Sequence, residues 1–239
     1  MAKTPMGGVD GTLRFRILIN SNFHNVRGAC MPVIYAEDPV VLPLLSRMRL
    51  PRQVLIDIGI KVGGERANVA ECEPPQVAGF ETWRWGTRFF REHEELKESG
   101  WEACERDLVS GVRNAKLGIK LVVCATNINT GNPDPNKQPK NVRDRGPASR
   151  RLIHQNTRQI PFGFVPPDDP KDELWYYCLY LSTQHIGIEI SRPTDEYEGY
   201  ITNFSHRIII AKPGDIPGTR KFQVPEEFAD VPRPRASRK

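Results

Sequence analysis

Two stretches in the second half of the chain decide the predicted fold. They read LWYYCLYLS at residues 174–182 and IGIEIS at residues 186–191. The first is rich in aromatic residues, and the second alternates isoleucine with glycine, glutamate and serine; both patterns are typical of β-strands. Residues 207–211 add a third apolar run, so the three together predict a β-meander.

The first half of the chain carries further β-strand patterns. Residues 108–113 and 119–125 flank a turn at residues 114–118, which predicts a hairpin whose second strand is fully buried. Residues 31–36 form a shorter strand candidate, and residues 13–20 alternate as a half-buried strand does. The first half therefore contributes several predicted strands.

Residues 53–62 have the most regular two-residue spacing of β-branched side chains in this half. Five of them share one side of an extended chain: Val54, Ile56, Ile58, Ile60 and Val62. The pattern predicts a strand that ends at a Gly63-Gly64 turn, with residues 67–73 as its hairpin partner. Residues 40–48 stay open between an edge strand and a broken helical turn, because they contain Pro43.

Helical patterns are fewer. One long amphipathic helix is predicted at about residues 80–99, with Gly100 as the residue that closes it. A short helix is predicted at residues 147–154, since proline suits a first helical turn. The predicted fold class is α+β: a mixed, mainly antiparallel sheet with one long amphipathic helix and a long basic loop.

The basic loop, residues 126–146, contains three prolines and almost no apolar residues. A stretch of this kind inside a compact domain is usually a functional loop or a disordered one. Residues 1–230 are predicted to form a single α+β domain, with the basic loop as the point where a sub-boundary would fall. Residues 231–239 are predicted to be a disordered basic tail.

Positive charge is concentrated in and next to this loop. The chain has 34 lysine and arginine residues and 29 acidic ones, a formal net charge of +5. Residues 131–158 hold two acidic residues, Asp134 and Asp144, against seven cationic ones, a local net charge of +5. The seven are Lys137, Lys140, Arg143, Arg145, Arg150, Arg151 and Arg158. The tail adds four more cations, so the rest of the chain is mildly acidic.

These cations are the strongest candidate binding residues. Together with His154, they are predicted to neutralise phosphates of DNA or RNA and to release counterions. The segment contains no phenylalanine, tyrosine or tryptophan to stack on a base, so contact with the backbone is favoured over recognition of a sequence. The first hypothesis is a non-enzymatic, nucleic-acid-associated binding protein.

Two other functions stay open. A protein-interaction subunit of a larger complex would present the same loop to an acidic protein partner. A metal-dependent nuclease or hydrolase would use the carboxylates of Asp57, Glu71 and Glu73, brought together on neighbouring strands. The acid-x-Lys pairing of one familiar nuclease pattern is missing, because Glu71-Cys72-Glu73 contains no lysine and residues 118–120 contain no acid.

Five aromatic residues in and near the long helix admit two interpretations: Trp83, Trp85, Phe89, Phe90 and Trp101. Aromatic residues at helical spacing usually form core, and that interpretation is favoured. Trp83 and Trp85 nevertheless lie on different faces of a helix, so one of them is a candidate for the surface. An exposed tryptophan would mark a partner surface.

Other familiar sites are not found in the sequence. The five histidines lack partners at metal-ligand spacing, and no dinucleotide-binding glycine pattern occurs, so neither a metal site nor a cofactor is predicted. The five cysteines include no Cys-x-x-Cys pair, which favours a reducing, cytoplasmic location. No apolar run reaches membrane-spanning length, so no membrane association is predicted.

Overall fold

A computed structural model describes residues 31–70, 72–105, 109–157 and 172–218. The predicted strand at residues 13–20 and the predicted tail at residues 231–239 lie outside the described residues. The elements in chain order are β1 Val33–Tyr35, α1 Asp38–Met48, α2 Arg52–Ala67, α3 Pro75–Glu92, α4 Glu94–Glu98, β2 Glu102–Cys104, β3 Gly111–Asn114, β4 Ile119–Ala125, α5 Pro147–Thr157, β5 Glu173–Leu181, β6 His185–Tyr197 and β7 Tyr200–Pro217.

The seven described strands form one mixed sheet in the order β1-β7-β6-β5-β4-β3-β2. β1 pairs with β7 and β4 pairs with β5 in parallel, and the other four neighbouring pairs are antiparallel. The predicted meander is confirmed as β5, β6 and β7, and the predicted hairpin as β3 and β4. The described residues therefore have the predicted α+β composition and mixed sheet.

Helices cover both faces of this sheet. α1, α2 and α3 pack on one face, where Val123, Tyr177 and Ile188 belong to the larger apolar core. α5 packs on the other face, against Tyr176 and Cys178. A strand that is buried on both faces is expected to be continuously apolar, which is the pattern of β4 and β5.

The predicted strand at residues 53–62 is wrong, because these residues lie in α2. Val54, Ile58 and Val62 repeat every four residues, so they lie on one helix face as readily as on one strand face. Packing decides between the two: the Tyr177 hydroxyl donates a hydrogen bond to the Leu55 carbonyl at 2.7 Å. Gly59 lies so close to the sheet that a Cβ there would be 2.6 Å from Ile188 Cδ1.

Two further predictions change with α2. The Gly63-Gly64 turn is wrong, because both glycines lie inside the helix, and the hairpin with residues 67–73 is therefore not formed.

Residues 40–48, which the sequence left open, belong to α1, and Pro43 is inside that helix.

The chain at residues 80–99 forms two helices rather than one. α3 begins earlier than predicted, at Pro75, and ends at Glu92. His93 has an extended ψ of 115°, and the short α4 follows it. Gly100 then has a φ of +89°, and its N–H donates to the Lys97 carbonyl at 2.9 Å, as expected for the residue that closes a helix.

Candidate nucleic-acid interface

The two arms of the basic loop pair with each other beyond the end of β4. Thr126 and Asn141 form an antiparallel bridge. The Asn127 N–H donates to the Lys140 carbonyl at 3.0 Å, and the Val142 N–H donates to the Ala125 carbonyl at 3.1 Å. The backbone of the loop is therefore hydrogen-bonded within itself, although it contains no named helix or strand.

A buried ion pair attaches the loop to the sheet. Glu189 on β6 and Arg207 on β7 have fully buried side chains, and Arg207 Nη2 lies 2.7 Å from Glu189 Oε2. The same Glu189 oxygen accepts a hydrogen bond from the Gly131 N–H at 2.8 Å. Arg207 Nη2 also donates to the Asn132 carbonyl at 3.0 Å. Each member of the pair therefore binds the backbone of the loop as well as its partner.

Further contacts hold the loop on both sides of this pair. Asn141 Nδ2 donates to the Gly199 carbonyl at 2.9 Å, and its Oδ1 accepts from the Ile201 N–H at 2.8 Å. A Cβ on Gly187 would lie 2.5 Å from the Thr130 carbonyl oxygen, which shows how closely the loop backbone approaches β6. The loop is thus fixed against the face of the sheet that α5 also covers.

The six predicted cations that the structure describes divide into two groups. Lys137, Lys140 and Arg151 have exposed side chains. Among the described residues, none of these three lies within ion-pair distance of a carboxylate. They are the cations of this segment that are available to a polyanion.

The other three described cations contact the protein itself. Arg143 is exposed, but its Nη2 donates to the Gln76 carbonyl at the start of α3 at 2.6 Å. Arg150 Nε donates to the Arg145 carbonyl at 3.0 Å, and it lies 3.7 Å from a Glu196 carboxylate oxygen. His154 Nε2 lies 3.3 Å from the same carboxylate. Arg158 lies outside the described residues.

Arg145 points inward to a small polar cluster. Its Cζ lies 5.1 Å from the centroid of the Tyr176 ring. Burial raises the pKa of Tyr176 to about 12. Cys124 and Cys178 face each other across β4 and β5, and both are fully buried. Arg145 is therefore part of the packing under the loop, and replacing it would disturb the fold as well as the charge.

The two thiols of this cluster have opposite pKa shifts. Burial by itself would raise the pKa of Cys124, but the hydrogen bond from Cys178 and the charge of Arg145 more than offset burial and lower it. The pKa of Cys178 is raised, first by burial and then by its hydrogen bond to Cys124. In the structure the Cys124 thiol donates to the Ala125 carbonyl oxygen at 3.7 Å.

The predicted carboxylate cluster is not on neighbouring strands. Asp57 lies on α2, where Gln53 Nε2 donates to it at 2.8 Å. Asp57 lies ten residues before the end of α2, or about 15 Å along the helix axis. Glu73 is exposed and lies beyond that end, in the segment between α2 and α3. Glu71 lies outside the described residues. The described part of the chain contains no group of three His, Cys, Asp or Glu side chains suited to hold a metal ion.

Most of the predicted aromatic cluster is core. Phe90 and Trp101 are buried, and Trp101 Nε1 donates to the Arg49 carbonyl at 3.0 Å. Trp85 and Phe89 stack on each other, with ring centroids 5.5 Å apart, and are partly buried against the same core. Trp83 is half-buried and is not part of this group.

Trp83 instead pairs with Phe80 beside the basic loop. Phe80 is 48% exposed, and its ring centroid lies 5.6 Å from that of Trp83. Arg143 reaches from the loop to the helix turn just before Phe80, where a Cβ added to Gly79 would lie 3.5 Å from its Nε. The helical spacing of the two rings was visible in the sequence, but their closeness to a loop 60 residues away was not.

Comparison with models of protein families, with curated proteins and with solved structures finds no match for this chain. Among the described residues, no helix is both long enough and apolar enough to cross a membrane.

Proposed function

We propose that this protein is a non-enzymatic, nucleic-acid-associated binding protein that contacts the phosphate backbone of DNA or RNA through the basic loop and α5. The observation that carries the proposal is the contrast between backbone and side chains in this segment. The loop backbone is held by the buried Glu189–Arg207 pair, while Lys137, Lys140 and Arg151 stay exposed without a carboxylate partner among the described residues.

A fixed backbone favours binding to a polyanion. The loop is already ordered, so binding would cost mainly the side-chain entropy of the long cations and not the ordering of the segment. Lysine and arginine side chains that neutralise phosphates release condensed counterions, which supplies a sequence-independent free energy of binding. The contribution of α5 is centred on Arg151, because Arg150 and His154 both lie within ion-pair distance of the Glu196 carboxylate.

The test is removal of the three exposed cations together: Lys137→Ala, Lys140→Ala and Arg151→Ala in one chain. Fluorescence anisotropy measures binding to mixed-sequence single-stranded and duplex oligonucleotides over a range of salt concentrations. The slope of log affinity against log salt is expected to fall in magnitude by about 2 to 3, because each phosphate that a cation neutralises contributes about 0.7 to 0.9 to that slope.

A matched control removes the same charge elsewhere. Arg47 on α1, Lys61 on α2 and Lys116 in the β3–β4 turn are also exposed, so Arg47→Ala, Lys61→Ala and Lys116→Ala lower the net charge equally. The control variant is expected to retain the salt slope of the native protein. Equal affinities and slopes for the two triple variants would contradict the proposed site.

A protein-interaction subunit is the second candidate, and one observation favours it. Ile128 and Val142, on the two arms of the basic loop, are 57% and 58% exposed beside the lysines. Exposed apolar side chains among cations suit an interface with an acidic protein. Such a partner is expected to remain bound in a nuclease-treated, high-salt preparation and to dissociate when Ile128 and Val142 become serine. Loss of all association after nuclease treatment would contradict this candidate.

A further inference from the structure

A partly exposed aromatic pair on α3 lies next to Arg143 of the basic loop. Phe80 is 48% exposed on α3, and half-buried Trp83 lies one helical turn further along. Their rings are tilted by 44° with centroids 5.6 Å apart. An aromatic surface beside basic side chains is the combination on which bases of single-stranded nucleic acid stack.

Arg143 connects this pair to the basic loop. Its guanidinium is hydrogen-bonded to the Gln76 carbonyl at 2.6 Å and lies against Gly79, so it is held on the helix turn that precedes Phe80. Lys140 is exposed three residues earlier in the loop. The Arg143 guanidinium therefore lies on the loop side of the aromatic pair.

The charges on α3 itself are compatible with a polyanion. Glu81 pairs with Arg84 at 3.1 Å, and Glu92 pairs with Arg88 at 2.7 Å, so each of these two carboxylates has a cationic partner on the same helix. Arg143 has no carboxylate partner among the described residues. The surroundings of the aromatic pair thus favour an anionic occupant over an apolar one.

We propose that the bound nucleic acid is single-stranded, and that an unpaired base stacks on Phe80 and Trp83 while Arg143 and Lys140 contact the adjoining phosphates. The proposal rests on the proposed function and adds the class of nucleic acid to it. A duplex keeps the faces of its bases stacked inside, whereas single strands and loops expose them to aromatic side chains.

The first experiment compares Phe80→Ala with Leu42→Ala, which removes an apolar side chain of similar exposure, 46%, from α1. The probes are a mixed-sequence single-stranded oligonucleotide, an abasic strand of the same length and a duplex. Phe80→Ala is expected to weaken binding of the single-stranded oligonucleotide by about 5- to 150-fold, the loss typical of one stacked base. Its binding to the abasic strand and to the duplex, and the salt slope, are expected to stay unchanged.

The second experiment uses the fluorescence of Trp83. A base that stacks on Trp83 is expected to quench part of the intrinsic fluorescence on binding. Trp83→Phe keeps an aromatic ring, so it is expected to retain most of the affinity and to lose that quenching. Trp101 and Trp175 are buried and Trp85 is partly buried against the core, so these three are expected to respond less than Trp83.

The outcomes separate this inference from the proposed function. If removing the loop cations weakens binding but Phe80→Ala binds all three probes like the native protein, the stacking site is refuted and the proposed function stands. If no probe binds, both are refuted. Thermal unfolding checks each variant, and Phe80→Leu replaces Phe80→Ala if the latter does not fold, because leucine keeps the apolar volume without the ring. Binding of a protein at Phe80 that competes with none of the probes would also overturn the inference.

Discussion

Replacing Glu189 with glutamine tests whether the buried ion pair holds the basic loop in place. The carboxylate accepts four hydrogen bonds, from Arg207 Nε at 2.9 Å, Arg207 Nη2 at 2.7 Å, Ser191 Oγ at 2.6 Å and the Gly131 N–H at 2.8 Å. Glutamine has nearly the same shape, but it carries no charge and turns an NH₂ group toward some of these donors. The fully buried Arg207 guanidinium would then have no counter-charge within the pair.

The expected cost is large for a single substitution. Removing one partner of a buried ion pair costs about 3 to 5 kcal/mol, because the other charge stays buried and unpaired. For a protein whose free energy of unfolding is about 5 to 15 kcal/mol, this is a substantial share of the total. At a urea m-value of about 2 kcal/mol/M, the midpoint of unfolding would fall by about 1.5 to 2.5 M.

Two measurements check this prediction. Urea unfolding gives the loss of stability, and amide hydrogen exchange of Gly131, whose N–H donates to Glu189, reports directly on the loop. Combining Glu189→Gln with Arg207→Met leaves no unpaired charge and keeps an amide oxygen that can accept from the Gly131 N–H, so the double variant is expected to cost less than Glu189→Gln alone. A loss below about 1 kcal/mol, or unchanged exchange at Gly131, would refute the reasoning.

Three further predictions concern a turn, a histidine and two thiols. Gly131→Ala should destabilise the protein by at least about 1 to 2 kcal/mol, because Gly131 has a φ of +80° and a Cβ there would clash with the Ala211 carbonyl oxygen on β7. Urea unfolding measures the loss. Gly146→Ala is the control, because a Cβ there would meet open space. Burial, above all, lowers the pKa of His206, so stability is complete above the unfolded pKa of about 6.5 and declines as the pH falls below it. His206→Gln should therefore lose less stability than the native protein between pH 7.5 and pH 5.5; an equal loss would contradict the assignment. Exposed Cys72 should react with a maleimide at once, whereas fully buried Cys124 should react only as fast as the protein unfolds. Peptide mapping measures both labelling rates, and simultaneous labelling would refute the burial of Cys124.

Local sequence patterns were enough to predict the central part of the sheet. β4 and β5 are almost continuously apolar because both faces of each strand are covered, and this pattern is visible without tertiary structure. α5 was also predictable from the proline at its first residue and the polar loop before it. These patterns are local, so each one predicts its own element.

The conformation of α2, in contrast, depends on tertiary packing. Residues 54, 58 and 62 satisfy both the two-residue period of a strand and the roughly four-residue repeat of a helix face, so the sequence pattern alone was ambiguous. The close fit of Gly59 against Ile188 and the hydrogen bond from Tyr177 to Leu55 exist only when this segment is a helix lying on the sheet. Packing against distant strands therefore overrode the local alternation.

The same division applies to the candidate interface. The sequence located the positive charge in residues 131–158, because charge is a property of each residue. It could not tell that Arg145 packs on Tyr176 while Lys137 and Lys140 stay exposed, or that Arg143 lies beside the aromatic pair on α3. Those outcomes depend on contacts between residues far apart in the chain, and only the folded arrangement of the strands and helices brings them together.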